Sequence, residues 1–417
     1  MSPDLLSEAT TVLARSIPAP GAGQGNADAS ADQSTARKTR RHVVLYVPDL
    51  SAGGAERAAL NLLEALPGPD LRVTLLLNRR RGPLVAALLE SAEVRSLEVH
   101  RTIAALPRLA AYLRQERPDI LISYLAFNNI AAIWANRLAG RPSKIIASHH
   151  SMMSIHGAGG WKQRLVPSLY KLFLGSADHV VAVSEGVAAE LSQVLQGRLA
   201  LSVINNPIVT PRYRELAAAP LDHPWFAMGE PPVILGVGRF APEKNFALLV
   251  DAYARLSERL PARLVLLGGG PLQQALLQQI ADHGLSQRAA ILPIDPNPWR
   301  YMARAKVLVL TSSSEAFGNV LVEAMATGTP VVSVDCPDGP AEILGHGKWG
   351  RLVVAGDAGA LATAIEETLL NPGDPLPRQA RAMDFSAQSI AQRYRDLIAR
   401  LGDPRRSGAC VGQPVKG

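Results

Sequence analysis

Two glutamates, Glu315 and Glu323, stand eight positions apart in the stretch VLVLTSSSEAFGNVLVEAMATGTPVVSVD, residues 307–335. Glu315 lies in a polar loop, and Glu323 falls in the second turn of a helical pattern from about Gly318 to Ala326. Backbone N–H groups at Gly318, Asn319 and Val320 open that helix unpaired, and the helix dipole favours an anion beside them. A carboxylate accepts two or more hydrogen bonds and suits a vicinal diol, so the two acids would bracket a ligand carrying phosphate and sugar hydroxyls. The competing reading makes Glu315 a helix cap and Glu323 a solvated helix residue. A second chemistry comes from Arg239 and Lys244 in GRFAPEKN. A planar fork and a point charge held together can neutralise a diphosphate; alone, they read as surface charge. Gly53-Gly54 would let backbone approach a ligand closely, or simply make a tight turn. The doublet His149-His150 ends a strand, where a histidine is usually structural.

These residues need a scaffold that brings loops together. Val307 to Leu310 is a β-branched apolar run, read as a buried parallel strand, and Val331 to Val334 begins the next. Gly328 and Pro330 close the helix between them. In such a strand–loop–helix–strand unit the loop sits at the carboxyl edge of the sheet, where open α/β folds bind ligands. The same alternation fills the first half: His42 to Val47, Val73 to Leu77, Leu84 to Glu90, Val94 to Val99, a helix to about Glu116, Ile120 to Ser123, Asn128 to Leu138 and Lys144 to Ala147. It implies a doubly wound domain. After Asn205-Asn206-Pro207, residues 210–231 carry several prolines without clear periodicity and read as a linker. A second α/β domain opens with a strand at Val233 to Val237 and a helix at Phe246 to Leu256. Arg239 and Lys244 fall in the loop between them. The turn at Gly268-Gly269-Gly270 reads as architectural, and Ala289 to Leu292 as the strand after it.

The spacing E-x7-E within SSSEAFGNVLVEAMATGTPVV, with G-R-x-x-x-x-K-N upstream, resembles the retaining, nucleotide-sugar-dependent glycosyltransferases of family 4. The resemblance covers roughly Val43 to Leu401. It implies the GT-B architecture, two doubly wound Rossmann-like domains facing across a cleft: residues 41–209 on the acceptor side and 232–374 for the donor. Residues 375–402 would form a terminal helix crossing back to the first domain. It further implies a hexose or N-acetylhexosamine donor carried on UDP and a glycan or lipid-linked acceptor in surface polysaccharide synthesis, with no cofactor. By resemblance, Arg239 and Lys244 hold the diphosphate with the helix at Gly318, Glu315 the donor sugar and Glu323 the ribose. Gly53, Gly54, Phe317, Asn319 and Val320 complete the donor contacts. His149, rather than His150, would reach toward the reacting sugar, and the loop 293–298 would meet the base. The segment Asp335 to Pro340 with Glu342 is similar to a subset acting on bacterial surface glycans. Two rival readings are a sugar-nucleotide epimerase of the same fold and a binding protein without turnover.

The 417 residues allow two or three domains of ordinary core size. The two cysteines, Cys336 and Cys410, are too far apart for a disulfide framework and point to a reducing cytoplasm. The formal charge of +7 comes without a nucleic-acid signature, so no nucleic-acid partner is expected and an anionic membrane surface is favoured instead. No apolar run approaches the ~20 residues of a span. The triplet Arg79 to Arg81 and the basic, aromatic segment Trp161 to Phe173 could sit peripherally on an anionic bilayer. No D-x-D pattern occurs, and with two cations at the diphosphate no metal is expected. Residues 1–40 and 403–417 are read as a disordered extension and tail.

Overall fold

The computed structural model describes residues 40–51, 53–100, 102–151, 172–196 and 199–402. The first sheet is seven-stranded and parallel, in the order β3-β2-β1-β4-β5-β6-β7. Its strands are β1 (Arg41–Val47), β2 (Leu71–Leu77), β3 (Glu93–Ser96), β4 (Ile120–Tyr124), β5 (Lys144–His149), β6 (His179–Ala182) and β7 (Leu201–Val203). The second is six-stranded, in the order β10-β9-β8-β11-β12-β13. It is formed by β8 (Val233–Arg239), β9 (Arg263–Gly269), β10 (Ala289–Leu292), β11 (Val307–Leu310), β12 (Val331–Val334) and β13 (Arg351–Val353).

Both orders reverse direction once, between β1 and β4 and between β8 and β11, and those reversals open a crevice at the carboxyl ends of the strands. Burial explains the unbroken apolar runs. Val43, Leu45 and Val47 of β1 pack on one face of the sheet and Val44 and Tyr46 on the other. A strand covered on both sides has no polar alternation to show. The apolar cluster on one face of the first sheet continues through Val209, Phe317 and Phe385 to a face of the second, so the two domains share one core.

Several element bounds differ from the sequence reading. Residues 210–231 are not structureless: they hold a helix at Tyr213–Ala218 and a 3₁₀ turn at Pro224–Phe226. The stretch Leu84 to Glu90 contributes only the 3₁₀ turn Pro83–Ala87. The terminal crossing is shorter than residues 375–402. Helix Pro375–Met383 stays with the second domain, packed on helix Asn319–Ala326, and only helix Ala387–Leu401 returns to the first, packed on helix Gly54–Ala65. Ile390, Tyr394, Leu397 and Ile398 of that last helix cover the first sheet. Outgoing and returning chains run side by side where they cross: Ile208 N–H donates to Phe385 O (2.9 Å) and Ala387 N–H to Val209 O (2.9 Å). The expectations for residues 1–39, 152–171 and 403–417 lie outside the described residues.

Candidate active site

β8 and β11 flank the reversal in the second sheet, and each ends in one of the loops that carry charge. After β8, Phe240 buries its ring, and Gly268 and Gly270 make way for this loop. A Cβ at Gly268 would come within 1.9 Å of Gly238 O, and one at Gly270 within 2.6 Å of Phe240 O, so the glycine turn is architectural as read. A 3₁₀ turn, Pro242–Lys244, then ends at Asn245 in the left-handed region (φ 45°).

Hydrogen bonds stitch this loop to the one after β11. Thr311 Oγ1 donates to Lys244 O (3.0 Å) and Ser313 N–H to Glu243 O (2.9 Å). The stitching joins residues far apart in the chain: Lys244 Nζ contacts Glu315 Oε1, which also accepts from Ser312 Oγ at 2.6 Å. Both are largely enclosed, with side chains 27% and 11% exposed, so their pairing is better shielded from water than a surface ion pair. Arg239 is different. Its guanidinium is 71% exposed and held by Glu243 at 2.7 Å, pointing into open solvent at the same edge.

Gly318 caps helix Asn319–Ala326 with φ 105°, ψ 51°, a conformation that L side chains avoid, and so starts the helix directly after the loop that carries Glu315. Asn319 and Val320 stand half-buried at that terminus. Phe317 stands just before that cap. Its ring is buried edge-on against Phe385 (5.3 Å), leaving only its backbone at the site.

Glu323 is neither solvated nor open. It is 4% exposed, burial pushes its carboxyl above the ordinary carboxylate range, and the guanidinium of Arg57, on helix Gly54–Ala65 of the first domain, opposes that push. The glycine pair is also used differently from the expected ligand approach. Glu56 folds back over Gly53, where a Cβ would meet its Oε2 at 2.2 Å, so a carboxylate already occupies that helix N-terminus. Gly54 instead lies against Asn319 of the second domain, whose Nδ2 would be 3.0 Å from an added Cβ. Apart from the glycine pair itself, nothing in the sequence marked Arg57 or Glu56.

His149 is fully enclosed at the end of β5. His150 lies beside it, stacked on Tyr124 (4.9 Å, 25°) with Nε2 2.8 Å from Ser148 Oγ, and burial pushes its imidazole down to about 3. Such a ring stays neutral. The loop after β10 is ordered by Asp295, which holds Arg300 (2.5 Å), Tyr301 Oη (3.2 Å) and the Asn297 N–H (2.7 Å).

Residues 52–212 match the domain family described as Glycosyltransferase Family 4, and residues 223–385 match Glycosyl transferases group 1. The chain belongs to the family 4 glycosyltransferases. Its architecture is GT-B, and its activity is glycosyl transfer. The lipopolysaccharide core biosynthesis glycosyltransferase LpsE of Rhizobium meliloti is 29% identical over 356 residues, covering 83% of this chain and 96% of that one. A Campylobacter jejuni enzyme named N-acetylgalactosamine-N,N'-diacetylbacillosaminyl-diphospho-undecaprenol 4-alpha-N-acetylgalactosaminyltransferase is 36% identical over 163 residues, 38% of this chain and 44% of that one. Among solved structures, Anabaena HepE in complex with UDP and glucose shares the fold at TM-score 0.70 and 22% identity, over 86% of this chain and 100% of that one. In this glycosyltransferase the edge that carries Lys244 and Glu315 belongs to the second domain, and Gly54 and Arg57 approach it from the first.

Proposed function

We propose that this glycosyltransferase moves a hexose or N-acetylhexosamine from a UDP-sugar to a glycan or lipid-linked acceptor, with retention at the anomeric carbon, in surface-glycan synthesis. The observation that carries the reading is the Lys244–Glu315 pair at the switch point of the second sheet, in the loop that leads into the helix capped by Gly318. Without ligand, the acid neutralises the cation. An incoming diphosphate takes Lys244 and Arg239, and this frees Glu315 to accept from sugar hydroxyls. The two cations and the helix terminus then stabilise the leaving diphosphate as its charge develops, the largest single catalytic effect expected here. Glu323, on the helix that follows Gly318, is assigned the ribose. No protein nucleophile is assigned.

The sugar nucleotide is supported by the HepE complex with UDP and glucose, and the acceptor class by the names of the Rhizobium and Campylobacter relatives. Among the described residues no helix is long and apolar enough to cross a membrane, so a lipid-linked acceptor would be met at the bilayer surface. Of the residues favoured for such contact, Arg80 and Arg81 are exposed, Arg79 Nη1 lies 3.1 Å from His100 Nδ1, and Phe173 packs edge-on against Trp134 (5.1 Å).

The test is a panel of nucleotide sugars screened by thermal shift, followed by release of UDP from the one that stabilises the protein. A true donor raises the melting temperature by mass action. Lys244→Ala should slow turnover by the equivalent of about 2–4 kcal/mol while leaving the fold intact. Turnover should also survive EDTA. A Lys244→Ala enzyme of normal rate would overturn the diphosphate assignment; loss with EDTA restored by Mg²⁺ or Mn²⁺ would overturn the metal-free mechanism.

A further inference from the structure

The first and second domains meet at a second place, away from Lys244 and Glu315. Helix Pro340–Ile343 of the second domain projects Glu342 onto the N-terminus of the first-domain helix Glu185–Leu195. One carboxylate oxygen, Oε2, accepts from Glu185 N–H at 2.8 Å; the other, Oε1, accepts from Asn205 Nδ2 at 2.8 Å. The Asn205 amide has no freedom to turn away. Its nitrogen also donates to Val183 O (3.0 Å) and its oxygen accepts from Arg393 Nη1 (3.3 Å). From its own side, Arg381 donates to Glu342 O (2.8 Å) and Ile343 O (3.2 Å), fixing the helix that carries the acid.

Two more contacts lie along the same seam. Asp338 (φ 70°) presses on Gly186, where a Cβ would come within 1.3 Å of its Oδ1, so only glycine fits there. Asn206 Nδ2 donates to Asn319 Oδ1 at 2.9 Å, tying the hinge-entering turn to the first residue of the helix proposed to face the donor. A negative charge at a helix N-terminus, with both oxygens matched to donors, is a favourable and directional contact.

We propose that Glu342 is a positioning residue: with Asn205 and Glu185 it fixes the angle at which the donor domain faces the acceptor domain. It touches neither Lys244 nor Glu315, so it sets where the donor is presented rather than whether it binds. This rests on the donor reading above, but the geometry of the latch does not.

Glu342→Gln can keep one of the two contacts, because an amide presents only one acceptor to two donors; Glu342→Ala loses both. The measurements are small-angle scattering of the whole protein, UDP affinity by titration, and UDP release from the donor. A displacement on the order of 1 Å at a reacting centre costs about 10²-fold, so Glu342→Ala should lower kcat about 10- to 100-fold, with Glu342→Gln in between. Affinity for UDP should stay within about twofold, and the scattering curve should show a more open particle for Glu342→Ala and for Asn205→Ala alike. Unchanged scattering with unchanged kcat would overturn the proposal. So would UDP affinity falling by the same factor as kcat, since Glu342 would then be a donor contact. If the wild type failed to bind UDP while the variants opened, the latch would stand and the donor reading would fall.

Discussion

Glu315 and Glu323 carry the same group and share one motif, yet the fold treats them oppositely. Glu315 has a cation and a hydroxyl in contact; Glu323 is sealed, with Arg57 as the opposing charge across the seam. Buried histidines have a consequence that can be measured. Burial holds His150 at about 3 and His179 at about 4, whereas the unfolded chain protonates histidine near 6.5. Between about pH 6.5 and 4 the unfolded state therefore binds protons that the folded state refuses, and these two residues remove stability as the pH falls. Buried acids with raised values (Glu56, Glu323 and Glu342) act with the opposite sign just above the ordinary carboxylate range, so the histidine part must be isolated by difference. Denaturant midpoints at pH 7.5 and 5 should fall less in a His150→Gln, His179→Asn variant than in the wild type; equal falls would mean the rings are not held neutral. What could be read at this scale was residue type and spacing, and that sufficed to place Lys244, Glu315 and Gly318 at one edge of the second sheet. It could not show that Glu56 folds over Gly53 or that Phe317 turns inward, because side-chain direction depends on neighbours far away in the chain.

Among the elements, helix Asn319–Ala326 was readable almost to the residue, since the apolar run, Gly318 and Gly328 all mark it. Helix Tyr213–Ala218 was not, because it is short, has no buried residue of its own and rests on helix Trp299–Met302. The end of the second domain was misplaced for a related reason. Nothing in the amphipathic pattern of helix Pro375–Met383 says which domain its apolar side meets. Gly318 offers the cleanest test of an element's terminus. A Cβ there would touch Ile343, Leu321 and Leu310 only at ordinary distances of 3.6–3.7 Å, so Gly318→Ala is opposed by backbone conformation alone. The variant should lose about 1–2 kcal/mol of stability and bind UDP more weakly as the helix's first turn shifts. Full stability by denaturant titration would show that the left-handed cap is not required.

At the scale of the molecule, two doubly wound halves followed from the alternation of strands and helices, but the angle between them did not. That angle depends on Glu342, Asn205 and Asn206, which pair across more than 100 positions of sequence. The side-by-side passage at Val209 and Ser386 bears on how the chain is made. Its second domain enters and leaves through one doorway, as an inserted domain does, so residues 210–385 form a loop closed at its own base. Excised there, that piece should fold by itself, as a cooperative thermal transition would reveal, and a chain ending at 384 should bind a dye for exposed apolar surface. On the ribosome, every strand of the first sheet has emerged by Val203, yet Ile390, Tyr394, Leu397 and Ile398 arrive last to cover it. The first domain to be synthesised is thus the last to be finished, and it waits, partly bare, for its neighbour to be built.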